Sequence, residues 1–406
     1  MESRKITQEY FDSIVNENMN DFGMEPKEAI DDAVNQLKAQ GIDLNTICKY
    51  PQDEQKELLN AIKRLNRSIR RLNNDTIEEI DEDDGSEQAV NRDELTEQCI
   101  RDLNVMREKF NKDISFRCLA TNVKSAPNAY STFMSYFSGL KRPSKESGED
   151  GRDDALISSF MNAFQAYISQ QNDVIDAHGL RMLIRLTGSD DDDDRSSFGN
   201  HPTVLQSLLK CITTSCQMNE SNRQFYVENG LCENLMKLFA KHKKNDSVLC
   251  EACQLIRSLL LDDDMRVEFG HAHEHAKYIA SQLNGIDVLI QIGLGNQSTL
   301  SEDTLANLML TLSKLAVRNE YCQEICDKGG LKFVLNCMAE SHLKNVSLLK
   351  SALSHLKSNC KNDQVKHEAT KSRAIVLLKR VMEKYAANLQ VLASFFKKFF
   401  MILYSI

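Results

Sequence analysis

Apolar residues recur with helical spacing along most of the chain. Near the N-terminus, one face of a first helix is marked by five positions: Phe11, Ile14, Val15, Asn18 and Phe22. Pro26 begins a second apolar-faced helix, and Gly41 ends it. The pattern predicts a pair of helices over residues 1–45.

An acidic stretch that is poor in apolar residues, EEIDEDDGSEQ, follows at 78–88. A segment of this composition cannot bury enough apolar surface to fold on its own. We therefore predict an acidic, flexible linker over residues 46–92.

One unit then recurs over residues 93–382. A long apolar helix precedes a short polar helix, and a glycine or small residue separates that helix from a third, apolar one. Glycines spaced by 51, 55 and 45 residues mark the register: Gly179, Gly230, Gly285 and Gly330. Such a unit cannot bury its apolar face alone, so neighbouring units must stack. An all-α solenoid is predicted, with a helical bundle or several small domains as the alternatives.

Composition limits the possible partners and compartments. The net charge of -9 disfavours nucleic acid and anionic membranes. The twelve cysteines include several at apolar helical positions, where a reduced Cys packs as a small hydrophobe. The N-terminus does not resemble a signal peptide, and no apolar run approaches the roughly 18 residues of a membrane span. These features predict a soluble protein of the cytosol or nucleus.

The stretch FGHAHEHAKYI at 269–279 raises the question of a metal site. His271 and His275 could share a helix face, and Cys250 with Cys253 supplies a second pair of ligands. The cysteines lie on a long helix, however, which cannot converge two thiolates. His271 and His275 are therefore a weak metal candidate, and a structural or partner-contact role is preferred for the block: Asp262, Asp263, Asp264, Arg266, Phe269, His271, His273 and His275.

Two structural roles within this block are specific expectations. Asp262–Asp264 should cap the start of a helix that carries Arg266, because carboxylates stabilise free N–H groups there. Phe269 should be a buried anchor between neighbouring repeats, costing about 3–5 kcal/mol if it is removed.

Several segments resemble known repeats. NRQ…V…G…L, followed by EACQLIRSL, resembles the armadillo repeat. DDDMRVEFGHAHEHAK, LAVRNEYCQEICDKGGL and FDSIVNENMNDFGMEPKEAI resemble the armadillo repeat-containing protein 6 family, from about residue 6 to about residue 370. The resemblance implies an armadillo-type, right-handed α-solenoid that binds partners along an inner groove.

The C-terminal end departs from this resemblance. Where further repeats would be expected, residues 383–406 form a divergent apolar tail. A missing repeat would leave an apolar face uncovered, so either the tail partly covers that face or the chain is a truncated or variant product. The run FFKKFFMILYSI is too short to span a bilayer, and interfacial anchoring stays open.

The inner groove is the expected binding site. The resemblance implies a late Asn in each long helix, with a nearby Trp, for peptide clamping of the nuclear-import kind. This chain has no Trp and carries other residues there: Ala166, Thr214, Ser258, Lys314 and Ser358. The inner face is predicted to present Gln165, Lys210, Thr214, Gln254, Arg257, Ser258, Asn307, Lys314 and Arg318. Its cations predict an acidic peptide ligand, and an ordinary solvated face is the alternative.

The sequence offers little for catalysis. It contains no phosphate loop, dinucleotide fingerprint, nucleophile elbow or H-E-x-x-H motif. The aspartate run 190–194 is interpreted as a solubilising insertion. We predict a non-catalytic protein-binding scaffold with no cofactor and no small-molecule substrate. A metal-responsive regulator with zinc at HAHEH and an enzyme are the alternatives.

Overall fold

A computed structural model describes residues 4–73, 91–122, 128–140, 150–188, 197–338 and 345–386. Within these residues the protein is almost entirely helical. The chain divides into two compact units, Met1–Met182 and Leu183–Ile406. Each unit has its own apolar core of buried aliphatic and aromatic side chains.

The first unit begins with the predicted helical pair. Helix α1 (Gln8–Asp21) packs on α2 (Pro26–Ala39), and strand β1 (Arg4–Lys5) pairs in parallel with β2 (Ile42–Asp43). The buried residues of this pair include Phe11, Val15, Ala29, Ala33 and Leu37. The expectation that Phe22 belongs to the buried face is wrong: α1 ends one residue earlier, and the Phe22 side chain is 68% exposed.

The predicted linker over residues 46–92 is wrong for its central part. Helix α3 spans Gln52–Asn73 and packs on α4 (Arg92–Lys112). Charged residues dominate α3, but its buried stripe has helical spacing: Leu58, Ile62, Leu65 and Ile69. A narrow apolar stripe is enough to hold α3 in the core because α4 covers it. The composition of the segment does not reveal this packing. The acidic stretch at 78–88 lies outside the described residues.

The remaining helices of the first unit surround an aromatic core. Helix α4 also packs on α7 (Asp150–Ile168). Phe133 lies 5.3 Å from Phe164 and 5.8 Å from Tyr167, measured between ring centroids. The other elements are α5 (Ile114–Thr121), α6 (Ala129–Gly139) and a 3-10 turn (Asn172–Val174). Helix α8 (Ala177–Leu186) contains the boundary between the units, after Met182.

Within its described residues, the second unit contains four three-helix repeats. The first repeat contains α9 (Pro202–Ser215), α10 (Glu220–Glu228) and α11 (Leu231–Lys241). The second contains α12 (Asp246–Leu259), α13 (Ala272–Lys277), which continues into a π turn (Tyr278–Gln282), and α14 (Gly285–Gly295). The third contains α15 (Glu302–Leu315), α16 (Asn319–Asp327) and α17 (Gly330–Cys337), and the fourth contains α18 (Val346–Asn359), α19 (Asp363–Lys371) and α20 (Ala374–Lys384). The long first helices stack in series, α9 on α12, α12 on α15 and α15 on α18. Each long helix contributes a fully or almost fully buried leucine to the core: Leu208, Leu255, Leu308 and Leu353.

Polar side chains set where most long helices begin. The side chains of Asn245, Ser301 and Asn345 each accept a hydrogen bond from a backbone N–H in the first turn of α12, α15 and α18. Each bond satisfies one of the donors that a helix start leaves free.

A left-handed residue precedes the third helix of every repeat in this unit. It is Gly230 and Gly329 in two repeats, and Asn284 and Arg373 in the others. The predicted markers Gly285 and Gly330 instead open their helices with φ in the ordinary range. Crowding therefore favours glycine at these two positions: a Cβ on Gly330 would lie 2.5 Å from Ile325 Cγ2 and 2.7 Å from the Ile325 carbonyl oxygen.

We expect Gly330→Ala to reduce the free energy of unfolding by about 1–3 kcal/mol, because the added methyl group meets backbone that cannot move away cheaply. Gly295→Ala is the matched control, since a Cβ there meets nothing within 4 Å. Urea denaturation of both variants tests this. Equal midpoints for the two variants would show that the crowding is relieved without cost.

The C-terminal boundary lies slightly beyond the predicted one. Helix α20 runs to Lys384, and residues 387–406 of the predicted tail lie outside the described residues. Within the part of the chain that the structure describes, no helix has the length and apolar content needed to cross a membrane.

Candidate functional site

The connection between α12 and α13 contains the acidic and histidine-rich block. The expectation that Asp262–Asp264 begins a helix is wrong, because residues 261–271 form a loop and α13 begins only at Ala272. Of the three aspartates, Asp264 is buried and accepts a hydrogen bond from the Glu220 backbone N–H at 2.9 Å. That N–H belongs to the first turn of α10, so the carboxylate binds a helix start in the preceding repeat.

Arg223 of α10 is the centre of a buried charge network. Its guanidinium is fully buried, and Nε donates to Glu220 Oε2 at 2.8 Å. Nη1 donates to Asp263 Oδ1 at 2.5 Å and to the Cys216 carbonyl at 2.9 Å. Burial alone would lower the pKa of Arg223, but its bonds to Asp263 and Glu220 raise it. The network thus fixes the loop to α10 through two ion pairs of Arg223.

Glu220 joins the far end of the loop to the same network. Its Oε1 accepts from the His271 backbone N–H at 2.7 Å. Burial raises the pKa of Glu220, but this bond and the one from Arg223 outweigh it, so the pKa is lowered overall. One carboxylate therefore holds both the loop end and Arg223.

Arg266 ties the loop to the turn after α9. It donates from Nε to Asp264 Oδ1 at 2.8 Å and from Nη2 to the Met218 carbonyl at 2.9 Å. The hydrogen bonds from Arg266 hold the pKa of Asp264 far below its usual range. The loop is thus bound at both ends and at its middle.

The three histidines have different surroundings. His275 is buried, and its Nδ1 lies 2.9 Å from the Leu259 carbonyl, so Nδ1 must carry the proton that it donates. His271 is exposed, with Nδ1 2.6 Å from Gln224 Nε2, and His273 faces solvent. Burial lowers the pKa of His275. Of the three side chains, only that of His275 is buried.

The metal alternative gains no support from this arrangement. Cys253 is fully buried in the core of α12, and Cys250 Sγ lies 3.3 Å from Thr304 Oγ1. Among the described residues, no group of three or more His, Cys, Asp or Glu side chains could hold a metal ion.

The expectation for Phe269 is wrong. Its side chain is 78% exposed rather than buried between repeats. The loop leaves the core after Asp264 and returns at His271, so Phe269 lies on its outer part. The sequence could not show this, because an aromatic residue beside a helix usually packs inward.

Most residues predicted for the inner face lie on the long helices and Arg318 lies just after one, but only some of their side chains are accessible. We call the residues Lys210, Gln254, Arg257, Asn307, Lys314 and Arg318 of the second unit the long-helix face. Thr214 and Ser258 are corrections: both are buried, and their hydroxyls donate to carbonyls of their own helices, Lys210 and Leu255. Gln165 lies on α7 in the first unit.

Arg257 is the most constrained cation of the long-helix face. It donates from Nη1 to the Asn307 carbonyl at 3.1 Å and Thr311 Oγ1 at 3.0 Å, and from Nη2 to Asn307 Oδ1 at 2.6 Å. Burial lowers its pKa, and no carboxylate in the described part of the chain pairs with it. Its Nε–H has no acceptor among these residues. Arg257 is therefore a positioned guanidinium with neutral partners.

The other cations of this face are less constrained. Lys210 Nζ lies 3.6 Å from Glu251 Oε1, whose pKa burial raises. Lys314 and Arg318 are exposed, and no described side chain forms a hydrogen bond or ion pair with either.

A cavity of about 660 Å³ opens between α17 and α20. Its lining includes three cationic side chains, Lys332, Arg373 and Arg380, and one carboxylate, Glu368, which accepts a hydrogen bond from Lys371 Nζ at 3.1 Å. Burial raises the pKa of the Cys326 thiol, which makes it a poor nucleophile. The enzyme alternative gains no pair of nucleophile and base here.

Sequence reasoning missed the partners on α10. Glu220 and Arg223 are three residues apart in the short helix that the repeat pattern describes as polar. The spacing fits an ion pair on one helix face. Their burial depends on the loop from the next repeat, which the local sequence does not reveal.

Stacked three-helix repeats whose long helices align in series define an armadillo-type α-solenoid. The family model ARMC6 matches residues 73–401, and the armadillo repeat-containing protein 6 N-terminal domain matches residues 3–64. The chain belongs to the armadillo repeat-containing protein 6 family.

Individual relatives agree with this assignment. Armadillo repeat-containing protein 6 of Homo sapiens is 30% identical over 402 residues, which is 96% of this chain and 72% of that protein. The armadillo repeat-containing protein 6 homolog of Drosophila melanogaster is 28% identical over 396 residues, which is 97% of this chain and 75% of that protein.

Proposed function

We propose that this protein is a non-catalytic scaffold whose long-helix face holds an acidic, extended segment of a partner protein. The observation that carries the proposal is Arg257. It is partly buried and bonded to Asn307 and Thr311, yet it faces no carboxylate in the described part of the chain. A partner carboxylate would supply the missing counter-charge and reach the free Nε–H.

The neighbouring helix extends this cationic character. Lys314 lies one turn beyond Thr311 on α15, and Arg318 follows the end of that helix. Both are exposed and have no ion pair among the described residues. Positive charge on a chain whose net charge is -9 favours an acidic partner and speeds its association.

We expect the double variant Arg257→Glu with Lys314→Glu to weaken binding of a fluorescein-labelled peptide of alternating Glu and Leu by at least about tenfold, since like charges then face each other. Fluorescence anisotropy at two salt concentrations measures this, and the parent should bind more weakly at high salt.

Lys241→Glu with Lys244→Glu is the matched control, because it makes the same change in net charge away from the long-helix face. A peptide of alternating Lys and Leu is the second control and should not bind the parent. Equal affinities of the two double variants for the Glu-containing peptide would refute the proposal.

A further inference from the structure

Exposed large apolar side chains of the second unit are concentrated at one place. The described residues of this unit expose six, and four lie on the loop between α12 and α13 or on the turn after α9. These four are Met218 (58%), Val267 (41%), Met265 (91%) and Phe269 (78%). We call them the apolar tip. Such a concentration on a folded surface marks an interaction site more often than a chance exposure.

The backbone beneath the apolar tip is fixed. Arg266 joins the loop to the Met218 carbonyl, and the Met218 backbone N–H lies 3.4 Å from Asp263 Oδ2. Asp263 in turn accepts from the buried Arg223. The four side chains therefore stand on two connected segments that the charge network holds together.

The charge network explains the position of the loop better than it explains stability. Buried ion pairs contribute little net stability compared with apolar residues of the same volume. Nη2 of Arg223 is buried and has no acceptor among the described residues, so the network is not fully satisfied. Its clear effect is geometric, because it presents the apolar tip on a preorganised support, which reduces the entropy lost on binding.

The charges around the apolar tip indicate the chemistry of its partner. Asp262 and Glu268 are exposed, and neither has an ion pair among the described residues. We propose that the apolar tip is an anchor that inserts into an apolar pocket of a partner protein bordered by Lys or Arg side chains. The charge requirement is the reverse of that at the long-helix face, where the chain supplies the cations and the partner the carboxylates.

In-cell photo-crosslinking of the full chain tests the proposal. p-Benzoylphenylalanine replaces Phe269, which it resembles in shape, and the cross-linked peptides are sequenced by mass spectrometry. The same probe at Phe22, an exposed phenylalanine of the first unit, is the control. We expect one dominant protein product specific to position 269, attached at apolar residues that have Lys or Arg neighbours.

Second substitutions in the probe-carrying chain provide the decisive comparison. Met265→Asp, and separately Asp262→Lys with Glu268→Lys, should each reduce the cross-link yield by about tenfold or more. Their melting temperatures should match the parent, because the replaced side chains are exposed.

Several results would overturn the proposal. Cross-links to a second copy of this chain or to lipid would assign the apolar tip to self-association or to a membrane. The same products from positions 269 and 22, attachment at acidic sequences, or a yield that Met265→Asp leaves unchanged would each reject the anchor.

Discussion

Replacing Arg223 with Met should lower the free energy of unfolding of the second unit by about 3–5 kcal/mol. Arg223 is fully buried, so the substitution leaves the carboxylates of Glu220 and Asp263 without their counter-charge. The apolar stem is retained, which separates the electrostatic loss from a loss of packing. Guanidinium denaturation measures the loss, and hydrogen exchange should show faster opening of the backbone at His271, whose N–H bonds to Glu220.

Arg318→Met is the control for this experiment. Arg318 is exposed and has no ion pair among the described residues. Its replacement should change the free energy of unfolding by less than about 0.5 kcal/mol. If Arg223→Met were as stable as Arg318→Met, the charge network would contribute nothing to the free energy of unfolding, and the Met side chain would replace the packing of Arg223.

Acidification should destabilise the second unit through His355. This side chain is almost completely buried in α18, and its Nδ1 lies 3.3 Å from the Met309 carbonyl. Burial lowers the pKa of His355 from 6.5 to about 4, so the folded state stays neutral at a pH where the unfolded state binds a proton. The free energy of unfolding contributed by His355 is fully present above pH 6.5 and should fall by about 3 kcal/mol as the pH decreases to 4.

The His355→Leu variant isolates this effect. Both proteins contain the same carboxylates, so the difference between their stability curves reports His355 alone. Between pH 7 and pH 4 the parent should lose about 3 kcal/mol more than the variant, measured by urea denaturation at fixed ionic strength. Parallel curves would mean that His355 has an ordinary pKa in the folded state.

The sequence predicted well where periodicity dictates burial. The long helices of the repeats and their stacking followed from apolar spacing, and Cys253 was correctly assigned to the core. Helix α3 was missed because the acidic stretch after it dominated the composition of residues 46–92. The buried stripe of α3, which includes Leu58 and Leu65, has the same helical spacing as the stripes of the repeat helices, but the rest of α3 is more polar.

The candidate sites were predicted less well than the fold. Arg257 and Asn307 were predicted from the sequence to share the inner face, but the hydrogen bond between them was not predicted. Thr214 and Ser258 were placed on an accessible face although they are buried. Helical spacing identifies the face of a residue, whereas the depth of the neighbouring helix decides whether that face is open.

The sequence by itself determined the repeat, since an apolar face at regular spacing has no stable alternative to stacking on its neighbours. Only the tertiary structure decided the role of residues 262–271. Arg223, which donates to Asp263, and the Glu220 N–H, which donates to Asp264, lie on α10, some 40 residues earlier in the chain. Packing of adjacent repeats brings these groups together. The exposure of Phe269 follows from those distant bonds, because they determine where the loop leaves the core.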